Sequence, residues 1–252
     1  MILVLGGTYD SRKLVEGLLV RGRQVIYSSV TAYNVDELPE VEGLSVMIGA
    51  LDKTAMDRVI AEKRITCLID ATHPYAREVS VNAIAACETA GVSYLRMERA
   101  RMQDDGETTL GFPDYGAMVD YLADQNGQVL LTTGSRQLEA YDRLPKDRLV
   151  IRVLPTAKVL AKCEDLGYNP RQIVAMQGPF SYEMNAAMME QYQIRFLTTK
   201  DSGAVGGVDE KIRAARDRGV KVLYIKRPEI DYPQVAGDVG ETLALIDREN
   251  LR

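Results

Sequence analysis

The chain has 252 residues, 46% of them hydrophobic, and carries 31 Lys and Arg against 36 Asp and Glu for a net charge of −5. That length accommodates one large α/β domain or two of ordinary size, and the acidic balance excludes a general nucleic-acid binder, which would show a clustered basic excess. No apolar run is long enough for a membrane span, and Cys67, Cys87 and Cys163 lie far apart with no CxxC spacing, so a cytoplasmic, soluble protein with buried reduced thiols is expected.

In chain order, Ile2 to Leu5 is a buried-type strand that runs into Gly6-Gly7-Thr8 and then a helix striped by Leu14, Val15, Leu18 and Leu19. Glycines allow the tight turn, and Thr8, Ser11 and the free amides of the helix start offer donors to an anion. The full dinucleotide fingerprint is not spelled out, because position 11 is Ser rather than Gly. Strands at 24–28, 44–48, 67–70 and 94–96 alternate with helices at 53–63 and 75–90, which is the grammar of a parallel sheet. The polar stretch from Arg101 to Gly106 reads as a linker. Strands at 129–132, 149–153, 173–176, 194–197 and 222–225 follow, predicting a second unit with a four- or five-stranded sheet. The expected division is 1–103 and 104–252, with the last helix, 238–249, able to pack on either unit.

In doubly wound sheets the loops after the strands carry the chemistry. After the second strand, Tyr27 to Thr31 contains no carboxylate to repel a 2′-phosphate, Ser28 and Ser29 offer hydroxyls, and Arg12 lies nearby on the first helix, which favours NADPH over NADH. Gly49 permits a close approach after the third strand. Asp70-Ala71-Thr72-His73-Pro74-Tyr75-Ala76 ends a buried strand on an acid and places the chain's one histidine before a proline suited to the first helical position. There the helix dipole would lower the His73 pKa and keep the ring neutral. Arg96, Arg99 and Arg101 are spaced for bidentate carboxylate binding or for a solvated charged surface. Thr133-Gly134-Ser135-Arg136 repeats the strand, small-residue turn and helix start of an anion site, and Lys200 adds a charge to the glycine-rich loop through Ser202, Gly203, Gly206 and Gly207.

Taken together, Leu5-Gly6-Gly7-Thr8, Asp70 to Ala76, Tyr94-Leu95-Arg96 with Glu98-Arg99, Thr133-Gly134-Ser135, Gln177-Gly178-Pro179-Phe180, and Thr199-Lys200-Asp201-Ser202-Gly203 with Glu210-Lys211 resemble the precorrin-6A and cobalt-precorrin-6A reductases of vitamin B12 biosynthesis. The likeness spans nearly the whole chain, with Asp70 to Ala76 and Thr199 to Gly203 its specific segments. It implies an α/β fold of two Rossmann-like subdomains with mostly parallel sheets, a strand exchange between them, and a cleft that holds a polycarboxylate tetrapyrrole. It implies NADPH, or NADH, in the first subdomain on Gly6, Gly7, Thr8, Arg12, Ser28, Ser29, Gly49 and Thr72. Hydride transfer to a macrocycle double bond follows, with no metal taking part. Substrate contacts are expected from Arg96, Arg99, Ser135, Arg136, Gly178, Lys200, Ser202 and Gly203, and His73, Tyr75 and Lys200 are the proton-donor candidates beside bulk water. Tyr9-Asp10 stands where family members often have Thr-Glu, a departure that bears on the cofactor turn.

Other readings remain open at this point. A Rossmann reductase of a smaller substrate would keep Gly6 to Thr8 but give Arg96, Arg99 and Lys200 no purpose. A non-catalytic NADP-binding protein is consistent with the lack of a Tyr-x-x-x-Lys pair. A cofactor-free tetrapyrrole enzyme would not bind a dinucleotide at all.

Overall fold

The computed structural model describes every residue except 33, 34, 36, 37, 202, 204–207 and 249–252. Its strands in chain order are β1 (Ile2–Leu5), β2 (Val25–Ser29), β3 (Leu44–Ile48), β4 (Cys67–Asp70), β5 (Ser93–Met97), β6 (Thr109–Phe112), β7 (Gln128–Leu131), β8 (Leu149–Val153), β9 (Ile173–Ala175), β10 (Ile194–Lys200), β11 (Lys221–Ile225) and β12 (Val235–Ala236). The helices are α1 (Tyr9–Val20), α2 (Lys53–Lys63), α3 (Arg77–Ala90), α4 (Tyr115–Ala123), α5 (Ala157–Asp165), α6 (Tyr182–Gln191), α7 (Val208–Asp217) and α8 (Val239–Arg248). Among the described residues no helix is long and apolar enough to cross a membrane. All three cysteines are buried and outside any disulfide.

The chain forms two compact units, one of residues 1–100 with 228–252 and the other of 101–227. The first holds a six-stranded parallel sheet in the order β12-β5-β4-β1-β2-β3. Alternation along β1 sends Ile2 and Val4 to one face and Leu3 and Leu5 to the other, and both faces are covered, as parallel sheets require. Leu14, Val15 and Leu18 of α1 with Leu243 and Ile246 of α8 cover the first face. Met56, Val59 and Ile60 of α2 with Ala83, Ala86 and Cys87 of α3 cover the second. Each fully buried Leu or Ile contributes roughly 1.5–3 kcal/mol. Helix α8 approaches α1 so closely that a Cβ on Gly17 would lie 2.6 Å from Leu243 Cδ1, which is why a glycine sits in mid-helix.

The second unit repeats the design in the order β6-β11-β10-β7-β8-β9, again all parallel. One face packs Leu130, Val150 and Leu197 against Ala186 and Met189 of α6 and Ala214 and Ala215 of α7. Buried Met118, Val119 and Leu122 line the core-facing stripe of α4.

Two expectations need correction. The second sheet has six strands, not four or five, because Thr109–Phe112 adds an edge strand. The last helix and the two-residue β12 belong to the first unit, so 228–252 does not lie with 104–227. The sixth strands are thus exchanged in chain order: β6 follows β5 yet completes the second sheet, and β12 follows β11 yet completes the first.

Candidate functional site

Each sheet reverses its strand order once, between β1 and β4 in the first unit and between β7 and β10 in the second. Ligands of doubly wound sheets bind beyond the carboxyl ends of the strands at such points.

In the first unit Leu5 pairs with Ser28 on β2 and with Asp70 on β4, so Gly6-Gly7-Thr8 leave the sheet at its switch point. The buried Tyr27 ring lies where a side chain on Gly6 would have to go, its atoms 2.1–2.5 Å from an ideal Cβ. Gly7, at φ +105°, donates its N–H to Tyr27 Oη at 2.8 Å. Tyr27 Oη also lies 3.0 Å from Ser11 Oγ. Because the one Ser11 hydroxyl proton goes to the Thr8 carbonyl at 2.7 Å, the phenol is the donor to Ser11. Thr8 caps α1 by accepting the Ser11 amide at 3.1 Å, and its own hydroxyl donates to the Ala71 carbonyl at 3.0 Å. The capping box closes when Ser11 Oγ accepts the Thr8 amide at 3.1 Å. These bonds leave the Tyr9 and Asp10 amides, the first two of α1, without an acceptor among the described residues. That pair at the positive end of the helix dipole fits a dinucleotide diphosphate.

Arg12 is nearly buried on α1, with Nη1 3.5 Å from the Thr8 carbonyl and its guanidinium 5.7 Å from the Tyr9 ring. Asp10 is ion-paired with Arg99, which offsets the carboxylate beside the first amides of α1. Ser28 and Ser29 are buried; Ser29 Oγ donates to the Thr31 carbonyl at 2.9 Å, closing the strand end instead of pointing outward. Gly49, at φ +133°, has no heavy atom within 4 Å of where a side chain would start.

Asp70 is fully buried and is the hub of β4. Its carboxylate accepts from the Thr72 amide (3.1 Å), Thr72 Oγ1 (2.6 Å), Ser80 Oγ (2.5 Å), Tyr94 Oη (2.8 Å) and Arg96 Nη1 (2.8 Å). Arg96 is equally buried, bonds Glu98 through Nε at 3.4 Å and lies 5.3 Å from the Tyr232 ring centre. Arg96 therefore holds the fold of the Asp70–Thr72 turn and does not present a guanidinium to substrate carboxylates, contrary to the sequence expectation. Burial pushes the Tyr94 hydroxyl far above the ordinary tyrosine range, and the Asp70 charge adds to that, so it stays a donor.

His73 is exposed; its Nδ1 accepts the Tyr75 N–H at 3.3 Å, and the two rings are 5.6 Å apart. The helix does not begin at Tyr75. It begins at Arg77 behind an Ala76 cap, with 73–76 forming a separate turn, so the dipole argument for His73 lapses.

In the second unit Leu131 pairs with Thr198, and Thr132 caps that pair by donating both its N–H and its hydroxyl to the Thr198 carbonyl. Gly134 turns at φ +84° into the short 3-10 segment Ser135–Tyr141, which places Ser135 and Arg136 beyond β7. From α7, buried Lys211 donates to Thr199 Oγ1 at 2.7 Å and to Thr132 Oγ1 at 3.2 Å. Burial first, and then the charge of Arg152, depress its pKa to about 7. Arg152, pushed down to about 10 by burial, donates to Asn185 Oδ1 at 2.8 Å and stacks 3.9 Å from the Phe180 ring. Gly178 leaves room for that ring, which would lie 3.0 Å from a Cβ. Lys200 is depressed by burial and then by Arg136. Asp201 is turned inward, accepting from Arg227 at 3.0 Å and from the Met102 amide at 3.2 Å. Gly203 is buried at φ +77°, while Ser202 lies outside the described residues.

Sequence reasoning gave Tyr27 and Arg152 no role in the site, and named Lys211 only within the Glu210-Lys211 signature of the resemblance. Lys211 had a signal, since it shares the core-facing stripe of α7 with Ala214 and Ala215, where a lysine is out of place.

The model of the family described as precorrin-6x reductase CbiJ/CobK matches residues 1–247. The chain belongs to this family. The reductase is 36% identical to the cobalt-precorrin-6A reductase of Priestia megaterium over 98% of this chain and 99% of that one. It is 28% identical to the precorrin-6A reductase of Rhodobacter capsulatus over 96% and 92%. A solved structure titled CobK precorrin-6A reductase shares its fold, with a TM-score of 0.79 at 24% identity over 99% of this chain and 97% of that one. The reductase is accordingly an oxidoreductase of cobalamin biosynthesis, acting on a ring C=C bond with a nicotinamide cofactor.

Proposed function

We propose that this reductase uses NADPH, with NADH as the weaker cofactor, to reduce one macrocycle double bond of precorrin-6A or its cobalt form. The dinucleotide diphosphate is held by the Tyr9 and Asp10 amides beyond Gly6-Gly7-Thr8, with Arg12, Thr72 and the Gly49 turn lining its path. Bound there, the nicotinamide supplies a hydride to one carbon of the double bond, and a proton completes its neighbour. Preference for NADPH rests on the Tyr27–Thr31 strand end, which has no carboxylate to repel a 2′-phosphate.

The observation that carries the substrate reading is the set Arg136, Arg152, Lys200 and Lys211 at one end of the second sheet. Burial and a neighbouring arginine depress the pKa values of both lysines. A net-acidic protein that concentrates cations in this way suits a polycarboxylate. A reductase of a small neutral substrate has no use for such a set. Ser135 and the Gly178 and Gly203 turns complete the substrate side. Proton delivery falls to Lys200, while His73 and Tyr75 border the cofactor side.

The test is NADPH oxidation by purified protein under anaerobic conditions with precorrin-6A and with cobalt-precorrin-6A. Turnover with at least one, faster with NADPH than NADH, is expected. No turnover with either would overturn the proposal.

A further inference from the structure

The Tyr27 hydroxyl is tied to both ends of the turn that opens α1, accepting from the Gly7 amide and donating to Ser11 Oγ. Between those ends lie Thr8 and the two amides, Tyr9 and Asp10, that have no acceptor among the described residues. In the usual dinucleotide fingerprint three glycines make this turn, the second by close backbone approach to the diphosphate and the third by close helix–strand packing. Here Ser11 stands in place of the third glycine, and Gly7 has its amide already engaged by a side chain. The phenol ring cannot shift toward the turn, because it is 1% exposed and fills the space beside Gly6.

We infer that Tyr27 is a positioning residue for the cofactor: its hydroxyl clamps the 7–11 turn so that the Tyr9 and Asp10 amides stay aimed at the diphosphate. The inference rests on the proposed location of the dinucleotide in the first unit. The clamp works by fixing conformation, not by contact. The path from Gly7 N–H to Tyr27 Oη–H to Ser11 Oγ–H to the Thr8 carbonyl uses each of its polar hydrogens once, and Ser11 Oγ also accepts the Thr8 amide. Gly7 at φ +105° is a residue whose peptide turns freely once unclamped. Removing the hydroxyl leaves the Gly7 amide without its partner, and the turn then samples orientations in which the two helix amides no longer converge.

Tyr27→Phe keeps the ring that packs beside Gly6 and deletes only the clamp. Titration of NADP+ by calorimetry, with no substrate present, is expected to show affinity weakened about 3- to 10-fold, the range for one neutral hydrogen bond. The KM for NADPH should rise in step while the KM for the precorrin does not, a split that a general loss of stability would not produce. Amide exchange at Gly7 should quicken in the variant. Ser11→Ala, which removes the other partner of the phenol, should weaken NADP+ binding in the same direction if Tyr27→Phe proves too unstable to handle. NADP+ binding within twofold of the unmutated protein in both variants would overturn the inference while leaving the cofactor location intact. No NADP+ binding by the unmutated protein would instead overturn the location, and the inference with it.

Discussion

Arg96 Nη1 and Asp70 Oδ1 meet at 2.8 Å with both side chains excluded from solvent, and through them β4 and β5 are joined just where the chain turns into Thr72 and His73. Asp70 is further bonded by Thr72, Ser80 and Tyr94, so the charge is compensated on every side. Arg96 Nη2 has no hydrogen-bond partner among the described residues, and the adjacent Tyr232 ring, which stacks on Tyr94 at 6.4 Å, belongs to the returning C-terminal segment.

Breaking such a pair from one side strands a buried charge. Asp70→Asn is expected to destabilise the protein by about 3–5 kcal/mol. Chemical denaturation should show the loss, with Arg96→Met of comparable size. A double replacement by apolar residues that costs far less than the sum of the two would identify the stranded charge as the cause.

Arg99 and Asp10 form the second informative pair. Arg99→Ala leaves an uncompensated carboxylate next to the two amides proposed to hold the diphosphate, at a cost on the order of 1 kcal/mol or about fivefold in NADP+ affinity. Added Asp10→Asn should restore binding, and the deficit of the single variant should shrink with salt. A double variant as weak as the single one would show that Arg99 touches the ligand itself.

Lys211 gives the fold a pH dependence whose sign is fixed by its depressed pKa. Unfolded, the lysine holds its proton up to its ordinary value of 10.5; folded, it releases it at about 7. Between those values the unfolded state binds more protons, so this residue's penalty is full below pH 7 and fades as the pH rises toward 10. Lys211→Met should therefore raise stability at pH 7 by several kcal/mol, on the order of 3, with the gain shrinking at higher pH. It should also impair turnover of the polycarboxylate substrate. Melting temperatures from pH 6 to 10 with parallel activity assays check both halves. A variant less stable at pH 7, or one with full activity, would contradict the assignment.

Much of the architecture was legible because parallel strands are short apolar runs and their helices are striped. Ile2–Leu5, Leu44–Ile48, Lys53–Lys63 and Leu149–Val153 fall where the sequence pattern puts them. The resemblance implied a strand exchange, but the sixth strands themselves were not located because β12 is two residues long and β6 contains a glycine, so neither offers the period-two signal of a strand. Loop geometry was legible at Gly6 to Thr8 and at Thr132 to Arg136, where glycine turns and helix starts are local properties. It was not legible at Arg96 and Arg99, because whether an arginine faces water or a carboxylate is decided by Asp70 and Asp10, 26 and 89 residues away. His73 was misplaced relative to its helix because Pro74 suits a turn as well as a first helical position.

The proposed dinucleotide site lies in the first unit, not the second, on the opening turn of α1. Hydrogen–deuterium exchange of the purified protein with and without NADP+ tests it residue by residue. Slowed exchange at 6–12 and at 71–75, with 133–137 unchanged in the absence of substrate, is the predicted pattern. Protection at 133–137 with none at 6–12 would contradict the account.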